Sequence, residues 1–295
     1  MLVIEFLKAL LYGIVEGITE WLPVSSTGHL ILLGEWLPFA FTKDAELLSE
    51  FGEMFEVVIQ LGAILAVVVL FWSKLWPFKR NQTAEMKKAT WSLWLKVVIS
   101  CIPAGLVGVV GDKLLEKVSG KDIDGWLFNA VVVSVALIVY GVAFILLERF
   151  NKPDRARVES VDGISYRQAL LIGLFQILAI VPGTSRSGST ILGSMLLGLS
   201  RTAAAEFSFF MAIPVMAGAG GIKVLGFLGY LSDSGVDMPV IAWGILALSF
   251  AVSFAVSMVA IRFLTDFVKR HSFAPFGVYR IALGVLVLLY FWIVK

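Results

Sequence analysis

Long apolar runs recur along the chain and are separated by shorter polar segments. A helix needs roughly 17 to 25 mostly apolar residues to cross about 30 Å of hydrocarbon. Runs of about this length occupy residues 57–72, 91–110, 126–147, 207–222, 240–263 and 278–294. The pattern predicts an all-α, polytopic membrane protein with about six transmembrane helices.

Charged residues in the connecting segments predict the side of the membrane on which each segment lies. Segments 73–96, 149–167 and 262–271 are rich in lysine and arginine, which favours the cytoplasm. Segments 34–56 and 223–239 are acid-rich or poor in basic residues, so we expect them outside.

Two segments are left over if that alternation holds. Residues 1–33 and 166–200 each have to enter and leave by one face, the first from outside and the second from the cytoplasm. Pro23 interrupts the first, and Pro182 with Gly183 interrupts the second. Proline and glycine at these positions split each segment into pieces of about half-membrane length. Each segment is therefore predicted to be a broken, re-entrant helical hairpin.

The two predicted hairpins resemble each other at an offset of 160 residues. Glu16 falls on Gln176, and identical pairs include Gly13 with Gly173, Ser25 with Ser185, Gly28 with Gly188, Ile31 with Ile191 and Leu32 with Leu192. Similar halves that enter from opposite faces indicate an inverted-topology repeat. We predict a single membrane domain, 1–295, with repeats at 1–147 and 148–295.

Composition agrees with this class of protein. The chain has 295 residues, of which 59% are hydrophobic and 16% charged, whereas soluble domains have about 25% charged residues. The net charge of +2 says little about partners. We expect the lipid bilayer as a partner and no nucleic acid.

Ionisable residues gather at the break in the first hairpin. The stretch EGITEWLPVSSTGHL places Glu16, Glu20 and His29 beside Ser25 and Ser26. Glu16 and Glu20 share a helix face, so they can bind a divalent cation, or one can act as a general base. The alternative is that the pair faces water at the membrane interface. Because charges at membrane depth are costly and usually functional, a site is favoured, and His29 becomes a candidate for proton transfer or nucleophilic attack.

The break in the second hairpin indicates an anion site. PGTSRSGST places Arg186 among hydroxyl residues where a helix should begin, so backbone N–H groups, hydroxyls and a guanidinium can converge on one phosphate. The hydroxyl residues are Thr184, Ser185, Ser187, Ser189 and Thr190. Alternatives are a plain helix cap and an ion pair of Arg186 with Glu206. Together with the carboxylates of the first hairpin, the site predicts phosphoryl transfer at membrane depth.

These two stretches resemble the signature segments of the undecaprenyl-diphosphate phosphatase family, the bacitracin-resistance integral membrane proteins of bacteria. The resemblance covers essentially the whole chain. It includes the spacing of Glu16 and Glu20 and the pair Tyr279 and Arg280 before the last apolar run. Neither signature departs from the family pattern.

The resemblance implies hydrolysis of undecaprenyl diphosphate to undecaprenyl phosphate and inorganic phosphate, which recycles the lipid carrier of peptidoglycan synthesis and underlies bacitracin resistance. It implies that Glu16 and Glu20 serve activity and bind Mg²⁺ or Ca²⁺, that His29 takes part in catalysis, and that Ser26 is a candidate nucleophile or phosphate ligand. The residues expected at the diphosphate are Ser25, Thr184, Ser185, Arg186, Ser187, Thr190 and Arg280. A phospho-enzyme and direct attack by water both remain open.

The family also implies a location and partners. We expect a multi-pass protein of the bacterial plasma (inner) membrane, with a polyprenyl diphosphate lipid as substrate. The active site should face the outer side because the carboxylates lie on the hairpin that opens there. The GAGG segment at 218–221 is a candidate homodimer face or a contact between two spans of one subunit.

Two other classes share some of these features. SSTGH and SR resemble elements of the type-2 phosphatidic acid phosphatases, but the Lys-x6-Arg-Pro element is missing and no aspartate follows His271. A transporter or flippase of an anionic or lipid-phosphate substrate is the main alternative, because many transporters are inverted repeats with broken helices. Glu16, Glu20 and His29 favour the enzyme, since anion binding alone does not require them.

Overall fold

The computed structural model describes residues 2–80, 82–111, 129–150 and 156–294, with positions 113, 117, 118 and 127 in isolation. Predictions that include Met1, Trp126, Lys152 or Arg155 lie in part outside these residues. Within them the chain is helical. The helices are α1 Leu2–Thr19, α2 Ser26–Trp36, α3 Ala45–Leu70, α4 Trp72–Leu75, α5 Ala84–Leu106, α6 Ala130–Phe150, α7 Tyr166–Ile177, α8 Arg186–Leu196, α9 Arg201–Ser234, α10 Val240–Arg270 and α11 Ala274–Val294.

Six helices of the described chain are long and apolar enough to cross a membrane. They are Ala45–Leu70, Ala84–Gly111, Ala130–Phe150, Arg201–Ser234, Val240–Arg270 and Ala274–Ile293. Each overlaps one predicted apolar run, which confirms the all-α, six-span prediction. The helices extend beyond the runs because polar residues cap them. At the start of α3, for example, Asp44 accepts the N–H groups of Glu46 and Leu47.

The segments around the predicted breaks each form two short helices. Between α1 and α2 the chain leaves the helical conformation after Thr19 and resumes it at Ser26. Between α7 and α8 a 3-10 turn, Leu178–Ile180, precedes the break, and α8 begins at Arg186. α1 packs against α2, and α7 against α8. The breaks therefore lie where proline and glycine predicted them, and the re-entrant course of each segment stays a prediction.

Packing between the halves is compatible with the predicted inverted repeat. α1 lies against α10 of the second half, while α7 lies against α5 of the first half. A Cβ atom added to Gly13 would lie 2.7 Å from the carbonyl oxygen of Ser249. One added to Gly173, which matches Gly13 in sequence, would clash with the carbonyl oxygen of Ser100. Matching glycines thus make matching close contacts.

Two glycines also make reciprocal close contacts where α6 crosses α11. A Cβ atom on Gly141 would lie 2.6 Å from the carbonyl oxygen of Gly277, and one on Gly277 would lie 2.6 Å from that of Gly141. The division into repeats at 1–147 and 148–295 stays a prediction, although these contacts agree with it.

Buried aromatic residues fix the first break in the core. Trp21, directly after Glu20, is fully buried, and its ring meets that of Phe209 on α9 edge to face, with centroids 5.3 Å apart. Phe71, which follows α3, packs against Phe210, which is also on α9. The backbone that carries Glu20 is therefore anchored on α9.

Candidate active site

The two breaks share an unusual backbone conformation. Ser25 has φ 71° and Ser185 has φ 70°, and among the described residues other than glycine only these two have positive φ. Each serine caps the next helix, with Oγ accepting the N–H of Gly28 at 3.4 Å and of Gly188 at 3.1 Å. Non-glycine residues with positive φ are strained and cluster at functional sites. The turns start α2 and α8 at Ser26 and Arg186.

Glu20 joins the two breaks. Its Oε1 accepts a hydrogen bond from Nη2 of Arg186 at 2.8 Å, and its Oε2 accepts one from the hydroxyl of Ser26 at 2.9 Å. The side chains of Glu20 and Arg186 are only 5% and 11% exposed. A buried ion pair needs such additional hydrogen bonds to offset desolvation. One carboxylate therefore contacts both a guanidinium and a hydroxyl that can react.

α9 also binds the guanidinium of Arg186. Nη1 of Arg186 donates to the carbonyl oxygen of Ser208 at 2.8 Å, and the hydroxyl of Ser208 lies 2.7 Å from that of Thr190. Nε of Arg186 is buried without a hydrogen-bond partner among the described residues. The alternative partner considered for Arg186, Glu206, instead bonds Lys74 at 2.7 Å. The acidic partner of Arg186 is thus Glu20.

Glu16 lies one turn before Glu20 and has unsatisfied oxygens. Its side chain is fully buried, and both carboxylate oxygens lack a hydrogen-bond partner among the described residues. The charges that act on it are those of Glu20, Glu56 and Arg186. An orphaned buried carboxylate fits a cation ligand.

The described residues contain no cluster of three or more histidine, cysteine, aspartate or glutamate side chains that could hold a metal ion. Glu20 is already bonded to Arg186 and Ser26. Glu16 and Glu20 would therefore supply only part of a cation's six or more oxygen ligands, and the diphosphate and water would supply the rest.

His29 is held by two short hydrogen bonds. Nδ1 lies 2.7 Å from the carbonyl oxygen of Ser25, and Nε2 lies 2.7 Å from the hydroxyl of Tyr279. Both ring nitrogens are thus engaged away from Ser26, whose hydroxyl bonds Glu20. The sequence predicts no role for Tyr279. Its position beside Arg280 is the one feature of the sequence that points to the site.

The other hydroxyl residues of the second break mainly hold backbone groups. Thr184 donates to the carbonyl oxygens of Leu178 and Val181, at 2.9 and 2.8 Å. The hydroxyl of Thr190 is 2.9 Å from the carbonyl oxygen of Arg186. Ser187 Oγ lies 3.0 Å from Ser185 Oγ and 3.3 Å from the carbonyl oxygen of Glu20. Their predicted contacts with a diphosphate stay predictions.

Arg280 ties the breaks together. Its side chain is fully buried, with Nη1 donating to the carbonyl oxygen of Pro23 at 3.1 Å. Nη2 donates to the carbonyl oxygens of Gly183 and Thr184 at 2.7 and 2.8 Å, and the guanidinium lies over the ring of Tyr140. The structure places Arg280 on the backbone of both breaks, and its predicted contact with the diphosphate is untested.

Fold and site together define a polytopic membrane protein with a buried carboxylate, hydroxyl and guanidinium centre between two broken helical segments. The family model described as "Bacitracin resistance protein BacA" matches residues 9–286. The chain belongs to this family, as its two signature segments predicted.

Relatives of known name match over the full length. The chain is 48% identical over 295 residues to an undecaprenyl-diphosphatase of Streptococcus gordonii, covering 100% of this chain and 98% of the relative. It is 48% identical over 288 residues to that of Enterococcus faecalis, covering 97% of each. For the undecaprenyl-diphosphatase of Acetivibrio thermocellus, identity is 48% over 292 residues, covering 99% of this chain and 100% of the relative.

Proposed function

We propose that this chain hydrolyses undecaprenyl diphosphate to undecaprenyl phosphate and inorganic phosphate. Full-length relatives named undecaprenyl-diphosphatase support this activity. The observation that carries the proposal is the contact of Glu20 with both Arg186 and Ser26. Through it, each break contributes a group that phosphoryl transfer needs.

Glu20 is the base that the geometry favours. Ser26 already donates its hydroxyl hydrogen to Oε2 of Glu20 at 2.9 Å, within the reach required of a general base. Glu20 takes this proton as Ser26 Oγ attacks the terminal phosphorus, or it takes a proton from a water that Ser26 orients. In either route the P–O bond to the bridging oxygen breaks, and undecaprenyl phosphate leaves. Attack by water releases inorganic phosphate directly, whereas after attack by Ser26 a water hydrolyses the phosphoserine, which releases inorganic phosphate and restores the Ser26 hydroxyl.

Arg186 and the helix N-termini bind the transferring phosphoryl group. Nε of Arg186 is a buried donor without a protein partner in the described chain, so it is free to meet a phosphate oxygen. The first turns of α2 and α8 add N–H groups that have no intrahelical partner. Such preorganised donors stabilise the charge that develops in the transition state.

A divalent cation, Mg²⁺ or Ca²⁺, fits the unsatisfied carboxylate of Glu16 with Glu20 beside it. When bound, the cation supplies positive charge that offsets the charge of the diphosphate. Glu16 would be the main protein ligand of the cation, and Glu20, which bonds Arg186 and Ser26, would contribute beside it.

We place the protein in the bacterial plasma (inner) membrane, with the polyprenyl tail of the substrate in lipid. The acid-rich connectors support an outward-opening first break, so the proposed reaction takes place on the outer side. The six spans support the membrane location.

Phosphate release from undecaprenyl diphosphate by the purified, detergent-solubilised protein tests this function. We expect phosphate release from the wild type and a large loss of its rate in Ser26→Ala, which lacks the hydroxyl. A folded wild-type protein that releases no phosphate would contradict the proposal. Flux of a lipid phosphate in liposomes would then test the transporter alternative.

A further inference from the structure

We propose that Tyr279 is a positioning residue for this reaction, acting through His29 on the backbone at Ser25. The proposal rests on the proposed function and concerns a residue outside the two signature segments. The phenol of Tyr279 contacts His29, whereas the hydroxyl of Ser26, the next residue after Ser25, bonds Glu20.

The hydrogen-bond chain has one direction. The carbonyl oxygen of Ser25 can only accept, so Nδ1 of His29 carries the hydrogen in their 2.7 Å bond. In a neutral imidazole Nε2 then accepts, and the hydroxyl of Tyr279 donates to it at 2.7 Å. The two rings are also stacked, with 5° between their planes and centroids 5.7 Å apart. The carbonyl oxygen of Ser25 therefore sets the tautomer, and Tyr279 fixes the orientation of the imidazole by bonding Nε2 and stacking on the ring.

The carbonyl group of Ser25 is the link between this chain and the reacting hydroxyl. It belongs to the peptide bond that joins Ser25, with φ 71°, to Ser26. At the second break, the matching carbonyl of Ser185 accepts the backbone N–H of Ser189 at 2.9 Å. At the first break a side chain, His29, donates to the carbonyl at 2.7 Å. The imidazole of His29 thus holds the strained turn at Ser25, which precedes Ser26, and Tyr279 holds the imidazole.

α11 reaches the first break with two consecutive residues. Arg280 donates to the carbonyl oxygen of Pro23, and Tyr279 bonds His29. Tyr279 is 47% exposed whereas Arg280 is fully buried. Replacing the phenol of Tyr279 by a phenyl ring removes one hydroxyl and leaves the core intact, so the proposal can be tested without unfolding the protein.

A double-mutant cycle on phosphate release measures whether Tyr279 acts through His29. Tyr279→Phe should lower kcat by about five- to tenfold, the equivalent of one hydrogen bond, with KM within about twofold of wild type. His29→Asn keeps an N–H near the Nδ1 position and has no atom at Nε2. In that background Tyr279→Phe should change kcat by less than about twofold.

Tyr290→Phe is the matched control because it lies on the same helix, α11, and its hydroxyl makes no hydrogen bond among the described residues. It should retain wild-type kcat. Equal losses for Tyr279→Phe in both backgrounds would overturn the proposal, because Tyr279 would then act independently of His29. A loss below about twofold in the wild-type background would overturn it as well.

A spectroscopic test separates this proposal from the proposed function. The chain has two histidines, so His271→Gln leaves His29 as the only one for nitrogen NMR of histidine-labelled protein. We expect the Nδ1-protonated tautomer at neutral pH and a changed Nε2 resonance in Tyr279→Phe. An Nε2-protonated ring, or a spectrum unchanged by Tyr279→Phe, would overturn the proposal whether or not the protein releases phosphate.

Discussion

The carboxylate of Glu20 and the guanidinium of Arg186 meet at 2.8 Å, although they belong to opposite breaks and stand 166 positions apart. The contact makes each break depend on the other, because the hydroxyl of Ser26 also bonds Glu20 at 2.9 Å. Neither half of the chain therefore contains a complete site. A base, a hydroxyl and an anion-binding group come together only where the two broken segments touch.

Activity should need the branched guanidinium of Arg186 as well as its positive charge. Its nitrogens Nη1 and Nη2 donate to Ser208 and Glu20, and the single ammonium nitrogen of a lysine cannot occupy the positions of Nη1, Nη2 and Nε at once. Arg186→Lys should lower kcat/KM for phosphate release by about 10²-fold or more. The exposed Arg262 is the control position, and Arg262→Lys should leave kcat/KM unchanged. Near-normal activity of Arg186→Lys would refute the two-partner geometry.

Activity should require a divalent cation, and Glu16 should set its affinity. EDTA should abolish phosphate release, and Mg²⁺ or Ca²⁺ should restore it. Because Glu16 is the carboxylate with unsatisfied oxygens, Glu16→Gln should raise the cation concentration needed for half-maximal activity by about tenfold or more. A cation titration of activity measures this. Full activity in EDTA would exclude the cation role.

Arg280 should contribute to stability. Its guanidinium is fully buried and bonds the carbonyl groups of Pro23, Gly183 and Thr184. Arg280→Gln leaves some of these carbonyls unpaired, so the free energy of unfolding should fall by about 3 kcal/mol or more. Denaturant titration of the purified variant checks it. Unchanged stability with a raised KM would instead assign Arg280 to the diphosphate.

The close crossing of α7 and α5 should tolerate no side chain at Gly173. A Cβ atom there would clash with the carbonyl oxygen of Ser100, so Gly173→Ala should lower the free energy of unfolding by about 1 to 3 kcal/mol. Gly218 on α9 has open space around it. Gly218→Ala should be neutral or stabilising. Equal effects of the two substitutions would contradict the packing.

The spans and the breaks could be predicted from the sequence, because lipid demands long apolar helices and because Pro23, and Pro182 with Gly183, disfavour a continuous helix at the breaks. The helix ends were less predictable. Segment 223–239, for instance, was expected to be a connector, but α9 continues to Ser234. Charged and polar residues that extend a helix past the hydrocarbon have no apolar pattern to reveal them.

Composition at the breaks also identified most of the candidate site residues. Contacts between residues that are distant in the sequence could not be predicted in this way. A buried arginine needs an acidic partner or a bound anion, but nothing in the order of residues connects Arg186 with Glu20 or His29 with Tyr279. Those contacts depend on how α11 and the two breaks pack in three dimensions.

The initial rate of phosphate release by Glu20→Gln, measured at saturating undecaprenyl diphosphate and cation, tests the central claim most directly. Glutamine keeps the size of the side chain but cannot act as a base, so kcat should fall by about 10²- to 10⁴-fold. Glu46→Gln, at an exposed position on α3, is the matched control and should retain wild-type kcat. A folded Glu20→Gln protein with a kcat within about threefold of wild type would contradict the account.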